Sequence, residues 1–268
     1  MVPPDPRNVA RALTHITGVD IAPDDVHMQL ISKHADRMVQ RVTVGTDIYF
    51  LKVFDNTREE ARTACEREVF AMTVLRDTGL APQLLAFNRS GAFIITEPVP
   101  GLMLEAALTN DTLAERAFQI GEWSARYIAY QPRRETDIDW FDYIRQYSGI
   151  VTRETEIEAR QLFSGRPTPD FALAKHDQSP MNFILTPDET LIGIDFERTR
   201  FKPIGWDVIA AAWVLLKRYP DREADITASL CAGWKSVEQE NVPDVPADVV
   251  AYFARQAVQT DWARKPYR

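Results

Sequence analysis

Asp177 and Asn182 stand five residues apart, joined by Gln178-Ser179-Pro180-Met181, between the apolar runs Phe171–Ala174 and Phe183–Leu185. After a turn at Thr186-Pro187-Asp188, a second apolar run, Leu191–Ile194, delivers Asp195. An acid or amide placed where a strand ends is poorly suited to a core and well suited to a metal or a substrate. Oxygen ligands of this kind are hard and suit magnesium. Phosphoryl transfer from a nucleotide uses such a set: magnesium neutralises developing charge, and a carboxylate orients the attacking hydroxyl and accepts its proton. It also needs a cation on the phosphates.

The elements before this stretch supply that cation. Asp5–Thr17 reads as a short helix ended by Gly18, followed by strands over Met28–Ser32 and Met38–Val44. Gly45-Thr46-Asp47 makes a hairpin turn into a third strand, Ile48–Phe54. Lys52 stands inside that apolar strand, on the face of Ile48, Phe50 and Phe54. A lysine there needs a partner, because an unpaired ammonium out of water is costly; the alternative is an edge-strand lysine that snorkels to solvent.

Thr57 and Glu60 have capping-box spacing and open a helix, with Gly79 as its stop. Its apolar stripe is Cys65, Val69, Met72 and Leu75; Glu68 falls within the stripe and Glu66 outside it. Glu68 is therefore the ion-pair partner expected for Lys52, the alternative being a stripe-edge carboxylate that reaches water. Two further strands, Leu84–Phe87 and Ala92–Thr96, lead into Glu97-Pro98-Val99-Pro100-Gly101. Both prolines of this stiff connector lack an amide hydrogen, so only Glu97 and Val99 donate from its middle. The boundary between two lobes is placed here: 1–97, a hinge at 98–101, and 102–268.

The second part is helical. Thr112 and Glu115 form another capping box, opening a helix to about Tyr130. Further helices are expected at Asp139–Ser148, Thr152–Phe163, Trp206–Tyr219, Ile226–Val237 and Ala247–Ala263. Trp206–Tyr219 is apolar enough to be buried on most sides, and Asp207 in its first turn is placed to accept from backbone amides.

Across 268 residues, 45% are apolar and 26% charged, as in an ordinary folded soluble protein. A net charge of −8 argues against nucleic acid as a partner and is compatible with a cationic substrate. No stretch approaches about 18 apolar residues, so no membrane span is expected. The amino terminus lacks a secretory pattern, and Cys65 and Cys231 read as buried free thiols; both favour a cytoplasmic location. The oligomeric state is not legible.

In order, the chain offers a strand lysine, a helix glutamate, a connector, helices, Asp177…Asn182, Asp195 and Asp207. The stretches FALAKHDQSPMNFIL and LIGIDFERTR resemble the aminoglycoside phosphotransferase and choline kinase-like family, which shows His-Gly-Asp-x-x-x-x-Asn and then Ile-Asp there. FIITEPVPG and CEREVFAMTVLRDTGLAPQLLAF are similar to the family's connector and to its glutamate helix with the following strand. The resemblance spans about residues 28–215. It implies an α+β, two-lobed protein-kinase-like fold, with a small antiparallel-sheet N-lobe carrying one long helix and a larger helical C-lobe.

It also implies an ATP-dependent kinase that phosphorylates a hydroxyl of a small-molecule acceptor. Asp177 would be catalytic, Asn182 and Asp195 would hold Mg2+, and Lys52 would grip the alpha and beta phosphates with Glu68 fixing it. The backbone of Glu97 and Val99 would meet the adenine, and Asp207 would brace the catalytic loop. Where the family carries His-Gly this chain has Lys175-His176, and the loop Lys33–Arg37 contains no glycine. Lys175 is expected either to contact phosphate or Asp195 or to point to solvent. These departures support an alternative, a catalytically weak or inactive nucleotide-binding relative that acts through partner contacts.

Overall fold

The computed structural model describes residues 4–136, 140–143, 155–163, 170–238 and 242–259. The chain forms two compact units: unit 1 is Met1–Leu102 with Ile184–Thr199, and unit 2 is Met103–Phe183 with Arg200–Arg268.

Unit 1 begins with helix α1 (Pro6–Thr17), where Asp5 accepts from Arg7 N at 2.9 Å and Gly18, at φ 70°, closes the end. Five antiparallel strands follow: β1 (Val26–Lys33), β2 (Arg37–Val44), β3 (Asp47–Phe54), β4 (Leu84–Asn88) and β5 (Phe93–Thr96). Their order in the sheet is β1-β2-β3-β5-β4. Val9, Ala10 and Leu13 of α1 share one core with Val42, Leu51, Val53, Phe93 and Ile95. Alternation along β3 therefore sends Leu51 and Val53 to the α1 side and Lys52 and Phe54 to the other. That second face receives α2 (Glu59–Val74), which packs against β3, β4 and β5.

Neither expected capping box forms. Thr57 turns back on Asp55, to which it donates its amide at 3.1 Å and its hydroxyl at 2.6 Å, and α2 starts two residues later without a side-chain cap. Thr112 likewise gives its hydroxyl to Ala107 O at 2.7 Å instead of accepting from the helix that follows. In both places a local turn uses the same oxygen. Gly79 does adopt a positive φ of 72°, but in the turn beyond the helix, which ends at Val74.

The connector ends at Gly101, whose φ of 144° favours glycine and whose added Cβ would lie 2.3 Å from Leu185 O. From there the chain runs through β6 (Leu102–Met103), α3 (Leu104–Ala107), α4 (Leu113–Ala129) and β7 (Arg133–Arg134). α5 (Trp140–Tyr143) and α6 (Glu156–Phe163) fall within the helices expected at Asp139–Ser148 and Thr152–Phe163; Thr155 is a turn, and residues 139, 144–148 and 152–154 lie outside the described residues. Next come β8 (Phe171–Ala174), β9 (Phe183–Leu185), β10 (Leu191–Gly193) and β11 (Arg200–Pro203). The chain closes with α7 (Trp206–Arg218), α8 (Glu223–Lys235) and α9 (Ala247–Gln259); residues 260–263 of the last expected helix also lie outside the described ones.

Unit 2 is built on helix packing. Gly121 of α4 and Gly233 of α8 let two backbones touch: a Cβ on Gly121 would sit 2.1 Å from Leu230 O, and one on Gly233 1.9 Å from Phe118 O. α7 is buried nearly all round and packs against α8, α9 and α4. Trp140 is core, against Phe163 and Phe253. A small antiparallel sheet, β11-β8-β7, fixes the segment that leads to Asp177. Among the described residues no helix is long and apolar enough to cross a membrane. Cys65 and Cys231 are both free and buried.

Candidate active site

Within unit 1, β3 and α2 bring Lys52 and Glu68 together as their faces predict: Nζ lies 2.6 Å from Glu68 Oε2. Glu68 is 4% exposed, which rules out the stripe edge, and Glu66 is solvated. The β9–β10 hairpin then delivers Asp195, whose Oδ1 is also 2.6 Å from Lys52 Nζ. A third carboxylate was not foreseen: Glu197 Oε2 is 3.1 Å from the same ammonium, and its Oε1 is 3.1 Å from Arg37 Nη1. Glu197 follows Asp195 by two residues in I-D-F-E, but its partners lie about 150 positions away, so spacing alone carried no signal for it.

Three carboxylates around one lysine perturb each other. Burial alone would push the Lys52 ammonium down; the charges of Glu68, Asp195 and Glu197 outweigh it and hold its pKa above the usual value. Burial raises Glu68 to about 7, against the pull of Lys52 and with a further push from Asp195. Ligand oxygens of Glu68, Asp195 and Glu197 all lie within 4.8 Å of one another. Asp195 itself is held at φ 62°, a conformation uncommon for a residue with a side chain.

Glu97 closes its end of the sheet on Gln83: its amide donates to Gln83 O at 3.2 Å, and its carboxylate accepts from Gln83 N at 3.1 Å. Val99 is partly exposed between exposed Pro98 and Pro100.

Within unit 2, β8 runs into the loop that holds Asp177. Buried Asp207, from the first turn of α7, clamps the entry: Oδ2 accepts from Lys175 N at 3.0 Å and Oδ1 from His176 N at 2.8 Å. Burial raises the Asp207 pKa, opposed by hydrogen bonds from Gln178, His176 and Lys175. His176 occupies the left-handed region at φ 73°, where the resembled family has glycine. Its Nδ1 accepts from the Trp206 indole at 3.1 Å, a contact glycine cannot make.

Lys175 differs from the expectation of a solvent-directed lysine. It is fully buried, with Nζ donating to Asp177 O at 2.6 Å and lying 5.3 Å from the Phe183 ring centroid. The cation thus braces the loop backbone next to the Asp177 carboxylate. Asp177 Oδ1 accepts from Ser179 N at 3.3 Å, and Asn182 Nδ2 reaches Asp177 O at 3.5 Å. Ser179 caps the one-turn helix Pro180–Asn182, which fixes Asn182 relative to Asp177.

Neither a family model nor a curated protein sequence matches the chain. Solved structures do. The choline kinase LicA of Streptococcus pneumoniae superposes with a TM-score of 0.58 at 12% identity, covering 96% of this chain and 89% of that one. An ethanolamine kinase of Plasmodium vivax gives 0.57 at 13% identity, covering 90% and 72%. An aminoglycoside phosphotransferase of Alicyclobacillus acidocaldarius gives 0.57 at 16%, covering 89% and 81%. With its antiparallel-sheet unit, glutamate helix and helical unit, the chain has the protein-kinase-like fold of the aminoglycoside phosphotransferase and choline kinase-like proteins.

Proposed function

We propose that this chain is an ATP-dependent kinase that transfers the gamma-phosphate to a hydroxyl of a small molecule. The observation that carries the proposal is Lys52, held at 2.6 Å by both Glu68 and Asp195. A lysine so fixed is a preorganised cation for the alpha and beta phosphates, and the carboxylate that follows a strand end beside it suits a metal. The similar structures point the same way, being kinases of choline, ethanolamine and aminoglycosides.

In this proposal Asp177 orients the acceptor hydroxyl and accepts its proton. Lys175 and Asp207 are positioning residues that set the loop through its backbone. Because Glu97 N is engaged by Gln83, the donor to an adenine edge falls to Val99, with the Glu97 carbonyl as acceptor. Each residue assigned to Mg2+ suits it by its own chemistry: Asp195 offers a partly exposed carboxylate and Asn182 a carboxamide oxygen, its nitrogen being turned to Asp177 O. When bound, Mg2+ would neutralise phosphate charge; the protein's own residues position the nucleotide and take the proton.

The test is magnesium-dependent ATP turnover against a panel of choline-like alcohols, amino alcohols, sugars and aminoglycosides, with Asp177→Asn alongside. The expected result is turnover on one class of acceptor, reduced about 10²–10⁴-fold by Asp177→Asn with ATP affinity kept within about twofold. Turnover untouched by that substitution would overturn the assignment of Asp177. Absence of ATP binding would overturn the function.

A further inference from the structure

The turn between β1 and β2 is short and closed on itself. His34 N donates to Arg37 O at 2.8 Å, and Asp36 O accepts from Asp55 N at 2.8 Å, so the turn is pinned to the start of the next connection. Lys33-His34-Ala35-Asp36-Arg37 contains no glycine, and none of its residues has a positive φ. A loop that cradles phosphate with successive backbone amides needs close approach and positive-φ positions, which this turn does not provide. Charge at this end of the sheet must come from a side chain.

Arg37 is the side chain in place. In the β2–β3 ladder Arg37 lies opposite Phe54, and residues directly opposite share a face. Lys52, two residues before Phe54, shares that face too. Glu197 then ties the two cations together, one oxygen 3.1 Å from Lys52 Nζ and the other 3.1 Å from Arg37 Nη1. Glu197 is buried, so this bridge is a fixed spacer rather than a surface pair. Asp36 also pairs with Nη1, at 3.2 Å. Both ion pairs are to Nη1, and a guanidinium carries further donors on Nε and Nη2 with which to meet a phosphate oxygen.

We propose that Arg37 is a phosphate-binding side chain that stands in for a glycine loop, held beside Lys52 by Glu197 and directed at the beta and gamma phosphates of ATP. This rests on the kinase function proposed above. Arg37 differs from Lys52 in being dispensable for the nucleoside and alpha phosphate, so a ladder of nucleotides separates a phosphate contact from a merely structural role.

The experiment is calorimetric binding of ATP, ADP and AMP, with magnesium, to the wild-type chain, Arg37→Ala and Arg37→Gln. Arg37→Gln keeps hydrogen bonding to Glu197 while removing the charge, and covers the case in which Arg37→Ala fails to fold. The expected result is a loss of about tenfold or more for ATP and ADP and less than about twofold for AMP. Equal losses on all three nucleotides, or no loss on ATP, would overturn the Arg37 assignment while leaving the kinase proposal standing. A wild-type chain that binds none of the three would overturn both.

Discussion

Replacing Lys52 with methionine tests the arrangement of unit 1 independently of catalysis. Lys52 Nζ lies 2.6 Å from Glu68, 2.6 Å from Asp195 and 3.1 Å from Glu197. At an effective dielectric of ~20, each 2.6 Å pair is worth about 6 kcal/mol gross, most of it offset by desolvation of the charges. Without the lysine, three carboxylates remain within 4.8 Å of one another, with Arg37 as the cation that still pairs with Glu197. Each ionised pair then repels by at least about 3.5 kcal/mol on the same scale, so a carboxylate facing both others meets about 7 kcal/mol, more than the ~4 kcal/mol needed to protonate an ordinary carboxyl at pH 7.5.

Two consequences follow for Lys52→Met. At pH 7.5 it is expected to lose about 3–5 kcal/mol of stability, as when one partner of a buried pair is removed. The loss should also depend on pH. Glu68 in the wild-type fold already titrates at about 7, raised by burial above its ordinary value. A carboxyl raised on folding favours the folded state fully below its unfolded pKa, and that stability is lost as pH rises through the folded value. The wild-type chain should therefore lose stability between about pH 5 and 7, at up to ~1.4 kcal/mol per pH unit. The variant, in which Glu68 loses the pull of Lys52 and is pushed higher still, should go on losing it above pH 7.

The assay is urea unfolding at pH 5.5, 7.5 and 8.5, followed by far-UV circular dichroism. No tryptophan falls in unit 1, so indole fluorescence would report the other unit. Equal destabilisation at all three pH values, or a loss below ~1 kcal/mol, would refute the electrostatic account.

Asp207→Ala leaves the Lys175 and His176 amides without their acceptor and should cost about 2–5 kcal/mol; Asp207→Asn, which keeps one oxygen and sheds a buried charge, should cost less. Tryptophan-monitored unfolding reads both, and a harmless alanine would count against the clamp. Gly233→Ala drives a Cβ to 1.9 Å from Phe118 O and should destabilise by about 2 kcal/mol or more, measured by thermal unfolding.

Periodicity and residue type made most elements legible. The alternation of β3 and the stripe of α2 were enough to bring Lys52 and Glu68 together, because each side chain's direction is set by its own strand or helix. The same logic failed for Thr57 and Thr112: a hydroxyl has several backbone partners within reach, and the nearer turn took it.

Within Phe171–Asp207 the sequence by itself supplied the residue types and the short-range geometry of Asp177 and Asn182. Only the tertiary structure decided the rest. Lys175 is buried on the Asp177 carbonyl, His176 meets Trp206, and Glu197 bridges Lys52 and Arg37. Each of the last two joins positions far apart in the chain, and the first depends on the burial of one side chain beside Phe183. Such pairings arise from burial, where a charge must find a partner among whatever groups the fold has brought near it, and local sequence does not encode that neighbourhood.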